Sequence, residues 1–556
     1  MTGSLQNYST YSVLSGTMEP KVWIAEAKRL GYDYLGLTDK STLAGLVEFQ
    51  KECKEQEIKP LLGAEFLMVD DASLRDKTQE LGAVILYAKN EAGYKNLITI
   101  NNRSQNRDTD AGGGFFYRAR IDAKFLAEHS EGLVCIVPTI DGYGMRGLKD
   151  GVANEAVESI VKLDDLHYIF GLDFYVGVDI SIDEDDAWYP VMERLMKLPY
   201  KKVVATNNHT PTEDTIHLLK VVRKLDHQNR QRKNLDRHIA YGCLVDADTI
   251  EETVGHYGFT DLSAEVAEKC NFVVQLGETF MPTPDCIFAN STEDIMFLSG
   301  QGFKKKLCPE MDIEKLENLD ELLPYAEFFP HEHLAKGEAQ DTLQNLGVYV
   351  ERLRYEFEII EQLGFMDYFN LVLKFCTVSD DMGHSRNYGR GSAGGSLVAY
   401  LLGITLIDPV RHDLLFERFL NPDRNDLPDI DLDFSKAGRD EVKNWMRDNY
   451  GGRRVVNIGT YGRLKVISGI QKLAKAYAFA LPDNTGELVE YSAQSLQGQI
   501  SNLHVAATKR GAAELEGLLE YDSFSKLYAR HSDWIDSVVM PLCETIWNTG
   551  IHESEM

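Results

Sequence analysis

The chain has 556 residues, 44% hydrophobic and 26% charged, ordinary values for a folded protein long enough for three or four domains. No apolar run reaches the roughly 20 residues that cross a bilayer and the opening MTGSLQNYST lacks a signal-peptide core, so no membrane partner is expected and the compartment expected is the cytoplasm. A net charge of −29 argues against a chain that coats a polyanion along its whole length, because phosphate binding is carried by Lys and Arg.

The first 120 or so residues alternate helical and extended signals, and later strands fit the same picture. Glu19 to Tyr32 has helical apolar spacing with a glycine stop, YLGLTD is a short strand, TLAGLVEFQKECKEQ a helix and IKPLLGAEFLMV another strand. GAVILYAKN, GLVCIVP, FYVGVDI and KKVVATNN continue the rhythm, which implies a parallel sheet or a barrel. The basic run from Lys220 to His238 reads either as a solvated helix or loop or as a nucleic-acid surface. From about Thr292 the chain turns helical, with a long amphipathic stretch from Val348 to Phe365. HEH at His331 to His333 has metal-like spacing but no further ligand nearby, and reads as solvated surface. Tyr355, Phe357, Tyr368 and Phe369 lie at helical spacing and read as core rather than as base-stacking platforms. The eight cysteines are scattered without a CxxC pair, so reduced thiols are expected, with no zinc site.

Two segments carry the chemistry. NYGRGSAGGSLVAYLLGI, Asn387 to Ile404, places four glycines and two serines ahead of a short apolar helix. Such a turn brings backbone N–H groups close to a phosphate, although the same composition also serves as a plain helix entry. LPDIDLDF, Leu427 to Phe434, sets Asp429, Asp431 and Asp433 at every second position. On a strand these share one face about 6–7 Å apart, while Ile430, Leu432 and Phe434 share the other. Like charges that close resist joint ionisation, and a divalent cation resolves the conflict; a solvated edge strand is the plainer alternative. Ten basic residues against three acidic ones follow between Ser435 and Tyr477, a local balance of +7.

The block from Gly389 to Phe434, GRGSAGGSLVAYLLGITLIDPVRHDLLFERFLNPDRNDLPDIDLDF, resembles the palm of bacterial replicative DNA polymerase III α subunits, the C-family polymerases. EFEIIEQLGFMDYFNLV upstream and RVVNIGTYGRLKVISGIQKLAKAYA downstream resemble the same family, and the first seventy residues are similar to its PHP domain. The resemblance implies an α/β and α+β multidomain chain: a PHP-like distorted (β/α) barrel over 1–285, a nucleotidyltransferase-type palm with its preceding helices over 286–438, a helical thumb over 439–548 and a return to the palm over 549–556. It implies template-directed addition of dNTPs to a primer 3′-hydroxyl, with Asp431 and Asp433 as catalytic ligands of two Mg²⁺ ions and Asp429 as a structural bystander. Gly391 and Ser392 match the loop that cradles the triphosphate, with Arg390 and Ser396 as helpers, and Arg418, Arg424 and Lys465 match basic positions near the nucleotide. Primer–template DNA, dNTPs and other replisome proteins are the implied partners, in a bacterial cell or a phage-infected bacterium.

The sequence departs from that family in two places. Gln6 and Tyr8 stand at the HxH pair of the PHP metal cluster, Lys40 replaces the histidine of LTDH, Ala83 stands at a further histidine position, and Asn207, Asn208 and His209 match a late Asp-x-His imperfectly, while Asp39 and Glu65 remain. With those nitrogen ligands gone, no PHP-site metal and no phosphoesterase activity are expected. The Lys40 ammonium either neutralises Asp39 and Glu65 or points to solvent. Second, the chain stops at NTGIHESEM, where His552 matches a family position but Glu553 and Glu555 replace small residues, and the third catalytic aspartate of the family lies beyond. The expectation is one part of a split polymerase completed by a C-terminal chain, with a truncated relative, acting as a non-catalytic DNA- or partner-binding protein, as the alternative.

Overall fold

The computed structural model describes residues 1–108, 112–150, 152–222, 242–277, 283–309, 311–312, 315–326, 346–387, 390–422, 428–451, 454–492, 494, 496, 515–543 and 545–551. Arg424, Leu427, the His331 to His333 run, His552 and most of the 220–238 basic run lie outside them. The chain divides into two units, Met1–Gln275 with Gly459–His552, and Leu276–Ile458.

The first unit is built on a seven-stranded sheet in sequence order: β1 (Gly3–Ser4), β2 (Tyr34–Leu37), β3 (Lys59–Met68), β4 (Gly82–Ala88), β5 (Leu133–Pro138), β6 (Phe174–Val178) and β7 (Lys202–Val204). Each expected strand is present. The βα rhythm predicts parallel neighbours, and β1 to β3 and β5 to β7 obey it, but β4 runs antiparallel to both β3 and β5. Only thirteen residues separate β3 from β4, too few for a helical crossover, so the chain reverses there. The sheet nearly closes on itself: the Tyr8 amide donates to the Asn208 carbonyl at 3.1 Å and the Asn208 amide to the Gln6 carbonyl at 3.2 Å.

Strand alternation sorts side chains to two cores. Ile85, Tyr87, Val134, Ile136 and Tyr175 fill the interior, whereas Val84, Leu86, Cys135 and Val176 face the outer helices. Both faces are covered, which is why β4 reads as an unbroken apolar run rather than alternating with polar residues. The Tyr87 ring occupies the interior because its neighbours are small. A Cβ on Gly36 would lie 2.0 Å from the Tyr87 hydroxyl.

The segment after Ile458 contributes β8 (Gly459–Arg463), paired antiparallel with a strand over Ile546–Ile551, and helices whose residues Ile470, Leu473, Phe524, Trp534 and Leu542 pack with Leu218 and Val222. Arg463 also reaches Glu19 at 2.6 Å.

The second unit is helical: α1 (Ser291–Lys306), α2 (Leu346–Gln362), α3 (Met366–Asp381), α4 (Leu397–Leu401) and α5 (Lys436–Tyr450). Phe303, Leu353, Phe369, Leu397 and Phe416 lie at the centre of its core. Phe357 and Phe369 are buried there as their spacing predicts, while Tyr355 is exposed and bonded to Glu417. All eight cysteines are free, and no helix among the described residues is long and apolar enough to cross a membrane.

Candidate active site

The acidic segment keeps the period of a strand without forming one. Two isolated antiparallel bridges, Arg386 with Phe434 and Arg390 with Asp431, tie it to the chain just ahead of the glycine-rich turn. Ile430 and Leu432 pack against the core of the second unit, and the Ile430 amide donates to the Tyr368 hydroxyl at 3.2 Å. Asp431 and Asp433 are thereby turned outward, and Asp429 is exposed beside them.

The two carboxylates converge on one cation. Arg390 Nη2 donates to Asp431 Oδ1 at 3.0 Å, and its Nε lies 3.2 Å from Asp433 Oδ1. The carboxylates stay open to solvent, with side-chain exposures of 31% and 44%, so the pairing is an exchangeable contact rather than a buried lock. Asn387 holds Asp433 twice: its amide N–H donates to the Asp433 carbonyl at 3.1 Å and its Nδ2 to Oδ2 at 3.0 Å.

Gly391 closes the other side. Its φ is +72°, a conformation that favours glycine, and a Cβ there would lie 2.8 Å from Asp431 Oδ2. Ser392 follows, half-buried, at the head of a 3₁₀ turn over Ser392–Gly395. Ser396 is fully buried: its hydroxyl donates to Glu356 at 2.9 Å and accepts from the Ala399 amide at 3.1 Å as the N-cap of α4. It therefore shapes the loop from within. Arg418 is exposed on a 3₁₀ turn over Phe416–Arg418, and Lys465 is exposed in the other unit, ahead of the helix Val466–Ala476.

These residues fit a magnesium site. Asp431 and Asp433 offer hard, accessible oxygens already gathered around a positive charge, and Mg²⁺ is commonly held by one or two carboxylates with water and substrate phosphate completing its shell. Asn387 and Glu356 were not legible as site residues. Asn387 stands within the glycine-rich phrase, but its partner lies 46 residues on.

The PHP positions have become a network of another kind. Tyr8 is buried, donates to Glu65 Oε2, accepts from Gln6 Nε2 at 2.5 Å and stacks on His209. Lys40 lies 3.7 Å from Glu65 Oε1 and 4.6 Å from the centre of the Tyr8 ring. It compensates Glu65 but not Asp39, which instead accepts from the Ser9 amide and the Ser9 and Ser12 hydroxyls at 2.6–2.8 Å. An amide, a phenol and a fixed ammonium do not fit a multinuclear metal centre.

Burial raises Asp39 to about 6, with the serine donors pulling the other way. Its folded pKa exceeds the ordinary 3.8, so the folded state holds the proton more tightly and the stability this brings fades as pH climbs towards about 6. Between pH 5 and pH 7 the wild type should lose about 1.4 kcal/mol relative to Asp39→Asn, which does not titrate. Urea unfolding of both proteins across that range checks it; parallel curves would count against it.

The fold and the site together define a class: a PHP domain joined to a polymerase-type domain with an acidic pair beside a glycine-rich turn. Residues 4–178 match the PHP domain family, and residues 330–539 match the bacterial DNA polymerase III alpha NTPase domain. The chain is 30% identical to DNA polymerase III subunit alpha of Aquifex aeolicus over 504 residues, covering 87% of this chain and 40% of that protein. The same subunit of Bacillus subtilis is 30% identical over 85% of this chain, and that of Borreliella burgdorferi 31% over 85%, each covered to 38%. The chain thus carries a PHP domain and a bacterial DNA polymerase III alpha NTPase domain. It is similar to the alpha subunits of bacteria and spans about two fifths of the length of the curated relatives it matches.

Proposed function

We propose that this chain is the PHP-and-palm portion of a template-directed DNA polymerase that adds dNTPs to a primer 3′-hydroxyl. One observation carries the reading: Asp431 and Asp433 converge on a single positive charge, directly against the backbone of Gly391. Magnesium ions held by this pair would supply charge neutralisation at the attacking and leaving oxygens. In the reaction the primer oxygen bonds the α-phosphorus, the link to the β-phosphate breaks and pyrophosphate leaves. Gly391 and Ser392 receive the triphosphate, and Arg390, Arg418 and Arg424 provide positive charge for it.

The family's third carboxylate and the fingers come, in this reading, from polymerase sequence outside these 556 residues, whether a continuation of the chain or a second one. Primer–template DNA and other replisome proteins are the further partners. A non-catalytic binding protein on a polymerase scaffold is the second reading, favoured by the compensation that Arg390 already gives both carboxylates.

Nucleotide binding separates the two. Titrating a dNTP with Mg²⁺ onto the chain bound to primer–template should give saturable binding that Gly391→Ala weakens at least about tenfold, since the new methyl group would press on Asp431. Absence of metal-dependent binding, or indifference to Gly391→Ala, would favour the scaffold reading.

A further inference from the structure

The second unit contains a cleft of about 420 Å³, within the size range of small-ligand sites. It lies between the C-terminal end of α1, one face of α3 and the turn that follows α4. Its charged lining is mostly positive. Lys305 and Lys306 come from the last turn of α1 and Arg386 from the segment before the glycine-rich turn, and Asp380 is the one carboxylate among the residues that line it.

Each cation has capacity left for a ligand. Arg386 binds Asp380 through Nε at 2.9 Å and Nη2 at 2.7 Å, which leaves Nη1 for another acceptor. Lys306 donates to the Tyr400 carbonyl and sits 4.2 Å from the centre of the Tyr400 ring, contacts that supply no formal negative charge. Burial, and then the neighbouring Lys305, push its ammonium down to about 8, with the Asp408 carboxylate pulling weakly the other way. Lys305 is exposed at the rim. His384, also in the lining, is paired to Glu441 at 3.0 Å and adds nothing to this positive balance.

The rest of the lining is mixed. Thr377, Ser385 and Asn387 contribute polar groups, while Leu373, Leu402 and Leu406 form an apolar strip in which Leu406 is 48% exposed, an uncovered aliphatic surface beside three cations. That combination suits a ligand with a polyanionic end and a flat apolar end. We propose that this cleft is a second nucleotide site, binding a nucleoside polyphosphate with its phosphates on Lys305, Lys306 and Arg386 and its base against Leu406 and Leu373.

The site has a direct route to the acidic pair. Arg386 forms a β-bridge with Phe434, and the next residue, Asn387, makes both hydrogen bonds to Asp433. A ligand that shifts Arg386 therefore moves the residue that orients a proposed catalytic carboxylate.

The test uses the full chain in EDTA, where the acidic pair cannot take a metal-bound nucleotide, so its outcome is independent of the polymerase reading. The probes are dATP and inorganic pyrophosphate, followed by titration calorimetry. The expectation is saturable binding of both, with dATP the tighter. Lys305→Glu, an exposed change that leaves the fold intact, should weaken both at least tenfold, and Lys306→Met should do the same where circular dichroism matches the wild type. Leu406→Ala should weaken dATP several-fold while leaving pyrophosphate unchanged. Binding that ignores Lys305→Glu would overturn the site. Equal affinities for the two probes, both unmoved by Leu406→Ala, would overturn the nucleoside part and leave a plain phosphate pocket.

Discussion

Asp433→Asn should reduce primer extension at least about a thousandfold in a polymerase assembled from this chain and the sequence that completes its palm, while primer–template affinity stays within about twofold. Three decades of rate correspond to about 4 kcal/mol of activation free energy, the scale on which metal ions stabilise developing charge in phosphoryl transfer. The substitution keeps the shape of the side chain and an oxygen for the Asn387 bond, removing only the charge. Because Asp433 is half-exposed and its ion pair with Arg390 is open to solvent, the fold should lose less than about 1 kcal/mol. A large loss of rate with an unchanged melting curve is therefore the signature. Arg390→Ala separates the metal from the guanidinium that now occupies both carboxylates: its half-saturating Mg²⁺ concentration should fall while its KM for dNTP rises. Wild-type extension by Asp433→Asn would remove the carboxylate pair from the mechanism.

What could be read from the sequence was whatever depends on local period and order. The barrel strands declare themselves because each is a short apolar run between turns, and a strand buried on both faces has no alternation to lose. The outward turn of Asp431 and Asp433 follows from period two, and it survives although the segment is held by two isolated bridges rather than by a sheet. Direction and partnership were not local. The reversal at β4 is a matter of how far thirteen residues can carry the chain, and it interrupts the parallel pairing that the βα rhythm implies on either side of it. Lys40 was legible as a substitute cation, yet which carboxylate it compensates was decided by Ser9 and Ser12, whose donors had already claimed Asp39. Asn387 and Glu356 were hidden because a hydrogen bond across forty residues leaves no mark on either side's periodicity.

Glu356 carries the second large effect, on stability. It is fully buried in α2 and gathers four donors: Arg352 Nε at 2.6 Å, the Leu397 amide at 2.9 Å, the Ser396 hydroxyl at 2.9 Å and the Val398 amide at 3.1 Å. Burial raises its pKa, and those donors oppose the rise. Glu356→Ala strips all four of their acceptor at once and leaves the Arg352 charge without its partner, a change that costs about 3–5 kcal/mol in comparable buried pairs. Against a total of about 5–15 kcal/mol for a folded domain, that is enough to lower the urea midpoint sharply. Glu356→Gln keeps the volume and one acceptor oxygen and should lose markedly less. The local readout is sharper than the global one: amides of Leu397 and Val398 should exchange with solvent faster in the alanine variant, while those of α3 in the same unit change little. Uniform loss of protection across the unit would assign Glu356 to the general core instead. Localised loss would show that the glycine-rich turn is held from behind by the carboxylate. Arg352, which also donates to the Gly395 carbonyl at 2.8 Å, makes Glu356 and the turn one structure. The backbone of Gly391 would then keep its place against Asp431 because of a residue that touches neither metal nor nucleotide.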